Sequence, residues 1–249
     1  MLEEWLKATQ FGDEKLLEPL NHIKRIDIEF QSYCNRICEW CPNKKFDRTL
    51  NKILNPQASL LPFLDDLKEA KYSGHFSLTG YQEIFSNPSL AQIFINEIHN
   101  FFPNAHITGA SNGDFINKFV LKNIGLNYLM IEDYDCNGLE YWKNKCYEFN
   151  IKIKYFDNIH IIGEHPNIQT VFIKLNWPKT VQLENRGGFF EPGDLPEYLW
   201  KNNMEPRTIP CAEPTYYLNI SYDGSVMPCC HMRPDNPNHK EYILGNINE

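Results

Sequence analysis

Apolar residues recur at three-to-four spacing in four stretches of the chain: SLLPFLDDLKEAKY (59–72), LAQIFINEIHNFF (90–102), FINKFVLKNIG (115–125) and GLEYWKNKCYEFN (138–150). That period predicts helices with one buried face. Between them the period changes to two. RIDIEFQSYC (25–34) alternates Ile26, Ile28 and Phe30 with polar residues, and NYLMIEDYD, IKIKYFD and TVQLENRGG read as further strands. Strand alternating with helix argues an α/β fold on a parallel sheet. The tail reads differently. YYLNIS, the turn pair Asp223-Gly224 and SVMPCC predict a β-hairpin. Stretches rich in Pro and Asn near 157–168 and 190–210 read as loops, the second linking the α/β region to the tail.

Composition narrows the class. The 249 residues are 42% hydrophobic and 22% charged, enough for one sizeable core. A net charge of −8 argues against a broad nucleic-acid surface. The N-terminus, MLEEWLKATQFGDEKLLEPL, carries acids where a signal peptide needs a basic start and an apolar run. No apolar stretch approaches the roughly 18 residues of a membrane span. A cytoplasmic protein is expected, with no membrane and no nucleic-acid partner. In a reducing compartment the eight cysteines suit metal ligands or buried thiols better than disulfides. Cys136 and Cys146 fall in the α/β region and read as buried thiols.

CNRICEWC (34–41) sets Cys34, Cys38 and Cys41 in the spacing C-x₃-C-x₂-C. Structural zinc takes four ligands, usually in two separated pairs. Three thiolates on one short loop instead suit three irons of a [4Fe–4S] cube, leaving the fourth iron open to a small chelating molecule, although Cys₄ ligation is the usual pattern. Chance clustering of buried cysteines is the bland alternative.

With Trp40 just before the third cysteine, the triplet on the loop after the first strand resembles the signature of the radical S-adenosylmethionine (SAM) superfamily. The resemblance implies a partial (β/α)6 barrel over residues 25–190, after an N-terminal helical segment at 1–24. It implies that SAM chelates the open iron and is cleaved by one electron to a 5′-deoxyadenosyl radical, with Trp40 near the adenine. The stretch from Gly80 to Leu90 resembles the family's second-strand motif. Glu83, Asn87, Pro88 and Leu90 match it, whereas Gln82 and Ile84 replace the usual glycine and proline. Gly80, Gln82 and Glu83 are therefore expected at the SAM amino group. Ser111-Asn112-Gly113 resembles the third-strand tip that lies near the SAM ribose and carboxylate. Taken alone, these stretches are a helix start and a turn.

Two strand ends carry candidate chemistry. Glu132 and Asp133, with Asp135, could meet substrate hydroxyls or an ammonium; a solvated acidic loop is the alternative. Arg186, in Asn-Arg-Gly-Gly, could reach a carboxylate or hydroxyl. Cys211, Asp223-Gly224, Cys229 and LGNI at 244–247 resemble the SPASM/Twitch group, whose C-terminal extension binds an auxiliary iron–sulfur cluster. The resemblance implies that residues 191–249 are a linker and a short auxiliary domain. Its candidate ligands are Cys211, Cys229 and Cys230; Cys229 occupies the family's ligand position and Cys230 is an extra thiol. The expected reaction is hydrogen abstraction from a small polar molecule or short peptide, plausibly a dehydrogenation, fed by a flavodoxin- or ferredoxin-like one-electron reductant. A redox-neutral radical reaction, such as epimerisation or carbon–carbon bond formation, competes with it. An iron–sulfur electron carrier is the reading from a different class.

Overall fold

A computed structural model of the chain describes residues 22–46, 48, 51–177 and 213–249. Its frame is a single ten-stranded mixed sheet. The central strands are β1 (Arg25–Ile28), β2 (His75–Leu78), β3 (Ile107–Ser111) and β4 (Tyr128–Glu132), each parallel to the next. The connections carry α1 (Leu61–Glu69), α2 (Pro88–Phe101) and α3 (Lys118–Asn123). After β4 come α4 (Gly138–Glu148), β5 (Lys152–Phe156), β6 (His160–His165) and β7 (Ile168–Lys174). The tail contributes β8 (Tyr217–Ile220), β9 (Ser225–Met227) and β10 (Gly245–Asn246).

The sheet departs from a simple βα repeat after β4. The expected strand at IKIKYFD forms, but it lies at the sheet edge, antiparallel to β6. The strand beside β4 is β7, which runs parallel to it. The sides of these strands explain the swap. Lys152, Tyr155 and Phe156 of β5 are all exposed, which suits an edge. Ile168, Val171 and Ile173 of β7 are at most 1% exposed, which suits the interior. The stretch 157–168, expected as loop, holds β6. Its Pro-Asn pair at 166–167 is only the tight turn into β7. The expected strand at 180–188 lies outside the described residues.

The tail joins the main sheet rather than standing apart. β8 pairs in parallel with β1, and β8 and β9 form an antiparallel hairpin. The parallel block therefore runs β8-β1-β2-β3-β4-β7. At the hairpin turn Gly224 has φ +85°, and an added Cβ would lie 2.5 Å from Asn246 Oδ1, so only glycine fits. Asn246 and Asn248, around the LGNI segment, donate side-chain hydrogen bonds to the Asp223 carbonyl at 3.2 and 3.0 Å.

One face of the parallel strands makes the core. Ile26, Ile28, Phe76, Leu78, Ile107 and Leu129 are fully buried there, packed with Leu64, Phe94 and Leu121 from the helices. Among the described residues, no helix is long and apolar enough to cross a membrane.

Candidate functional site

The opposite face of the same strands encloses a cavity of about 470 Å³. Cys34, Cys38 and Cys41 line it from the loop after β1, together with Trp40 from that loop. Cys41 caps a short 3₁₀ turn with Pro42 at its first position, so the third thiol is set by a fixed backbone. Burial first, then the nearby Glu83 and Cys41, push the Cys34 thiol up to about 11. Burial, then Cys41 and Cys34, push Cys38 to about 12. Cys34 and Cys38 are thus desolvated, and Cys41 lies close enough to oppose the ionisation of both. Positive charge is what would draw off their protons.

Among the described residues, no three His, Cys, Asp or Glu side chains converge on a point that would hold a single metal ion. A [4Fe–4S] cluster asks for no such point, because each thiolate meets a different iron. Three cavity-lining thiols on one loop are a donor set of the kind such a cluster takes.

The loop is held by charge at both ends. Arg36, between the first two cysteines, makes forked hydrogen bonds to Asp114 (2.5 and 2.7 Å) and Asp135 (2.6 and 2.9 Å). These contacts tie it to the tips of β3 and β4. Asn35 Oδ1 accepts a bond from Asn112 Nδ2 at 2.9 Å. Beyond the loop, buried Arg48 donates to Glu29 Oε1 and to the Ser32 carbonyl, both at 2.9 Å.

Glu83 lies at the centre of the SAM-type motifs. Its carboxylate is 2% exposed and lines the cavity. Oε1 accepts from Ser111 Oγ (2.8 Å) and Phe85 N (3.0 Å), and Oε2 from Asn112 N (2.8 Å). One carboxylate thus joins the tips of β2 and β3, the two segments expected at SAM. Burial pushes it up to about 7, although these donors pull the other way. Gly80, Ser111 and Asn112 line the same cavity. Gly80 has φ +101°, which lets the chain turn over Glu29.

Gln82 also borders the cavity, but its amide is fully engaged elsewhere. Oε1 accepts from Phe30 N and Gln31 N, while Nε2 donates to the Ile28 and Thr79 carbonyls. Its side chain thus braces β1 against β2, while the residue itself borders the cavity where SAM is expected. Asn87 caps α2 through Leu90 N at 3.2 Å, with Pro88 at the first helical position.

The acidic tip of β4 divides. Glu132 faces the cavity, its carboxylate accepting from the Tyr134 hydroxyl and lying 3.9 Å from Lys174 Nζ. Asp133 does not line this cavity. It is 1% exposed and accepts backbone bonds from Asn137, Gly138 and Asn176. Burial pushes it upward, but those donors prevail and hold it below the usual carboxylate range. The structure therefore gives Asp133 a loop-holding role, which corrects the catalytic expectation.

Trp40 packs against Tyr134 (centroids 5.6 Å) and Trp177 (4.9 Å), and those two lie 4.9 Å apart. This makes an aromatic wall, two rings of which face the cavity.

The tail reaches the same cavity. Cys230 and His231 line it, while Cys229 does not. Cys229 Sγ accepts a bond from His231 N at 3.4 Å. The adjacent thiols thus have different surroundings, and Cys230 shares a chamber with the triplet. Arg233, 1% exposed, donates to Asn43 Oδ1 at 2.9 Å and to Asp235 at 2.6 and 2.7 Å, fastening the tail to the cysteine loop. Arg186 and Cys211 lie outside the described residues.

Sequence reasoning missed Arg36, Arg48 and Arg233. It also passed over Arg25 and Asp27, which line the cavity from β1. A signal for those two was present: charged residues at alternate positions of a central parallel strand have no solvent to face.

Residues 211–249 match the SPASM family, described as an iron–sulfur cluster-binding domain. Over 232 residues the chain is 23% identical to the S-adenosyl-L-methionine-dependent 2-deoxy-scyllo-inosamine dehydrogenase of Niallia circulans, covering 90% of this chain and 78% of that one. The chain is thus similar to a SAM-dependent dehydrogenase along most of its length, with the SPASM match confined to its C-terminal end. Its fold is similar to that of the crystal structure of BtrN in complex with AdoMet and 2-DOIA, with a TM-score of 0.64 at 18% identity over 90% of this chain and 78% of that one. A crystal structure of BtrN in an open conformation matches with a TM-score of 0.52 at 17% identity, over 90% and 75%. The cavity lined by the triplet, Glu83 and the Ser111-Asn112 tip is the place to seek the chain's chemistry.

Proposed function

We propose that this chain is a radical SAM enzyme that abstracts hydrogen from a small polar substrate and oxidises it. The observation that carries this reading is convergence. The triplet, Glu83 and the Ser111-Asn112 tip come from three separate loops, yet they line one cavity. An electron carrier would need the thiols but not the rest.

Cys34, Cys38 and Cys41 would hold the cluster, and SAM would take the open iron. Bound there, the two would supply a 5′-deoxyadenosyl radical that takes a hydrogen atom from an unactivated carbon. The residues of the chain do the positioning. Glu83, braced by three donors, presents a fixed carboxylate to the SAM ammonium. Trp40 and Tyr134 offer flat apolar faces for the adenine. Glu132 faces the same space and is placed to accept the proton released when a hydroxyl-bearing carbon becomes a carbonyl.

Cys229, with Cys211, would bind an auxiliary cluster that receives the remaining electron. The dehydrogenase relative supports an oxidation. It also supports a small-molecule substrate over a peptide. A cytoplasmic setting and an external flavodoxin- or ferredoxin-like reductant complete the proposal.

A redox-neutral reaction is the second reading, and the placement of Cys230 favours it. A cavity-facing thiol could return a hydrogen atom to the substrate radical, leaving a thiyl that the external reductant and a proton restore. Anaerobic reconstitution with iron and sulfide, then dithionite and SAM, tests the common core of both readings. 5′-Deoxyadenosine should form, and its absence from a protein with a full cluster would refute the proposal.

A further inference from the structure

The face of the sheet beneath the triplet carries a row of polar side chains at one level. In register, Asn219, Asp27, Ser77, Thr108, Tyr128 and Thr170 follow one another across β8, β1, β2, β3, β4 and β7. Parallel partners in register point to the same face. Asp27, Ser77, Thr108 and Tyr128 line the cavity. The inside of a complete parallel barrel is normally filled by bulky branched apolar residues. Here a central level holds none.

The row is also poorly satisfied by the protein. Asn219 is 6% exposed, and its Oδ1 has no hydrogen-bond partner among the described residues. Buried polar groups in folded chains are almost always paired; Asn219 does not line the cavity, but its register partner Asp27 does. Ser77 Oγ has only a long bond of 3.3 Å to Thr79. One level up, roughly 7 Å along the strands, the register pair Ala110 and Met130 lines the cavity with apolar side chains.

Charge restricts what would fit. Arg25 is matched by Asp27, with contacts of 2.7 and 3.0 Å, and lies over the Tyr217 ring. Arg36 is matched by Asp114 and Asp135. Among the described residues, neither arginine lining the cavity is left to hold a phosphate or a carboxylate.

We infer that the cavity-lining part of this row is the substrate floor, a subsite for a neutral, hydroxyl-rich small molecule, with Ser77, Thr108 and Tyr128 as hydrogen-bond partners and Arg25-braced Asp27 as the orienting acceptor. The inference rests on the proposed radical SAM reading for its purpose but not for its structure, because the sheet alone forms the floor. It favours a polyol over an anionic sugar phosphate or a peptide.

Saturation-transfer NMR on the full chain tests it, in the metal-free form and after reconstitution with SAM. The probes are myo-inositol, glucose 6-phosphate and the tripeptide Ala-Ser-Ala. Transfer to myo-inositol alone is expected in both forms. Thr108→Val and Tyr128→Phe, which keep shape and lose a hydroxyl, should each weaken it about fivefold or more. Thr108→Ser should restore it. No transfer to myo-inositol in the wild-type chain would mean that only water occupies the floor and would overturn the inference. Equal transfer to either other probe, or variants that bind like wild type, would do the same. Wild-type SAM cleavage, measured separately, shows whether the radical SAM reading itself has failed.

Discussion

The two faces of the parallel strands are made by alternate residues of the same few strands and do opposite work. On β1, Ile26 and Ile28 are fully buried in the core, while Arg25 and Asp27 turn to the cavity side. On β2, Phe76 and Leu78 pack in the core, while Ser77 and Thr79 line the cavity. The apolar face gains its stability from area removed from water. The polar face must pair or place every charge, and it does so with Arg25–Asp27 and Arg48–Glu29. Separating the tasks by face lets chemistry change without unfolding the sheet. Substitutions on each face should therefore fail in different ways.

The largest effect is expected at the triplet. Cys34→Ala, Cys38→Ala or Cys41→Ala should reduce SAM cleavage to background while leaving the circular dichroism of the metal-free chain unchanged. Unfolding of these variants would blur the two faces. On the core face, Phe76→Ala should lower unfolding stability by about 3–5 kcal/mol, read by urea denaturation of the metal-free chain. A smaller loss would mean that the core is less tightly packed than its burial indicates.

Next comes Glu83. Its carboxyl, raised to about 7, is largely protonated at pH 6 and must ionise to pair with an ammonium. SAM affinity of the reconstituted enzyme should therefore rise with pH by about tenfold between pH 6 and 8 and then level off. Glu83→Gln should bind SAM more weakly and lose that pH dependence, as isothermal titration would show. In the metal-free chain the linkage runs the other way. A carboxyl whose folded value is raised stabilises the fold most at acid pH, and that contribution is lost as pH rises through about 7. The smallest effect belongs to Asp135, whose side chain is 58% exposed. Asp135→Asn should change stability by less than about 1 kcal/mol, because a solvent-screened pair contributes little.

Local signals carried much of this organisation. The three-to-four spacing located α1 to α4 to within a few residues, and the Asp223-Gly224 turn marked the tail hairpin. The triplet and the Ser111-Asn112 tip were legible because each is a short motif tied to one loop. Long-range choices were not. Nothing local shows that β7 rather than β5 takes the place beside β4, since that depends on which strand has two sides to bury. Asp133 and Glu132 are neighbours with the same carboxylate chemistry, yet only the fold shows that backbone donors close around one while the other faces the cavity. Arg233 reads as an ordinary tail arginine until Asn43 and Asp235 meet it from separate segments.

The central claim is that the polar face holds an iron–sulfur cluster whose open iron takes SAM. Electron–nuclear double resonance on the reduced, reconstituted enzyme, with SAM labelled by ¹⁵N at its amino group, reads that contact directly. A resolved ¹⁵N coupling to the cluster, lost in Cys38→Ala, is the predicted result. A fully loaded, reduced cluster that shows no coupling at saturating SAM would contradict the account.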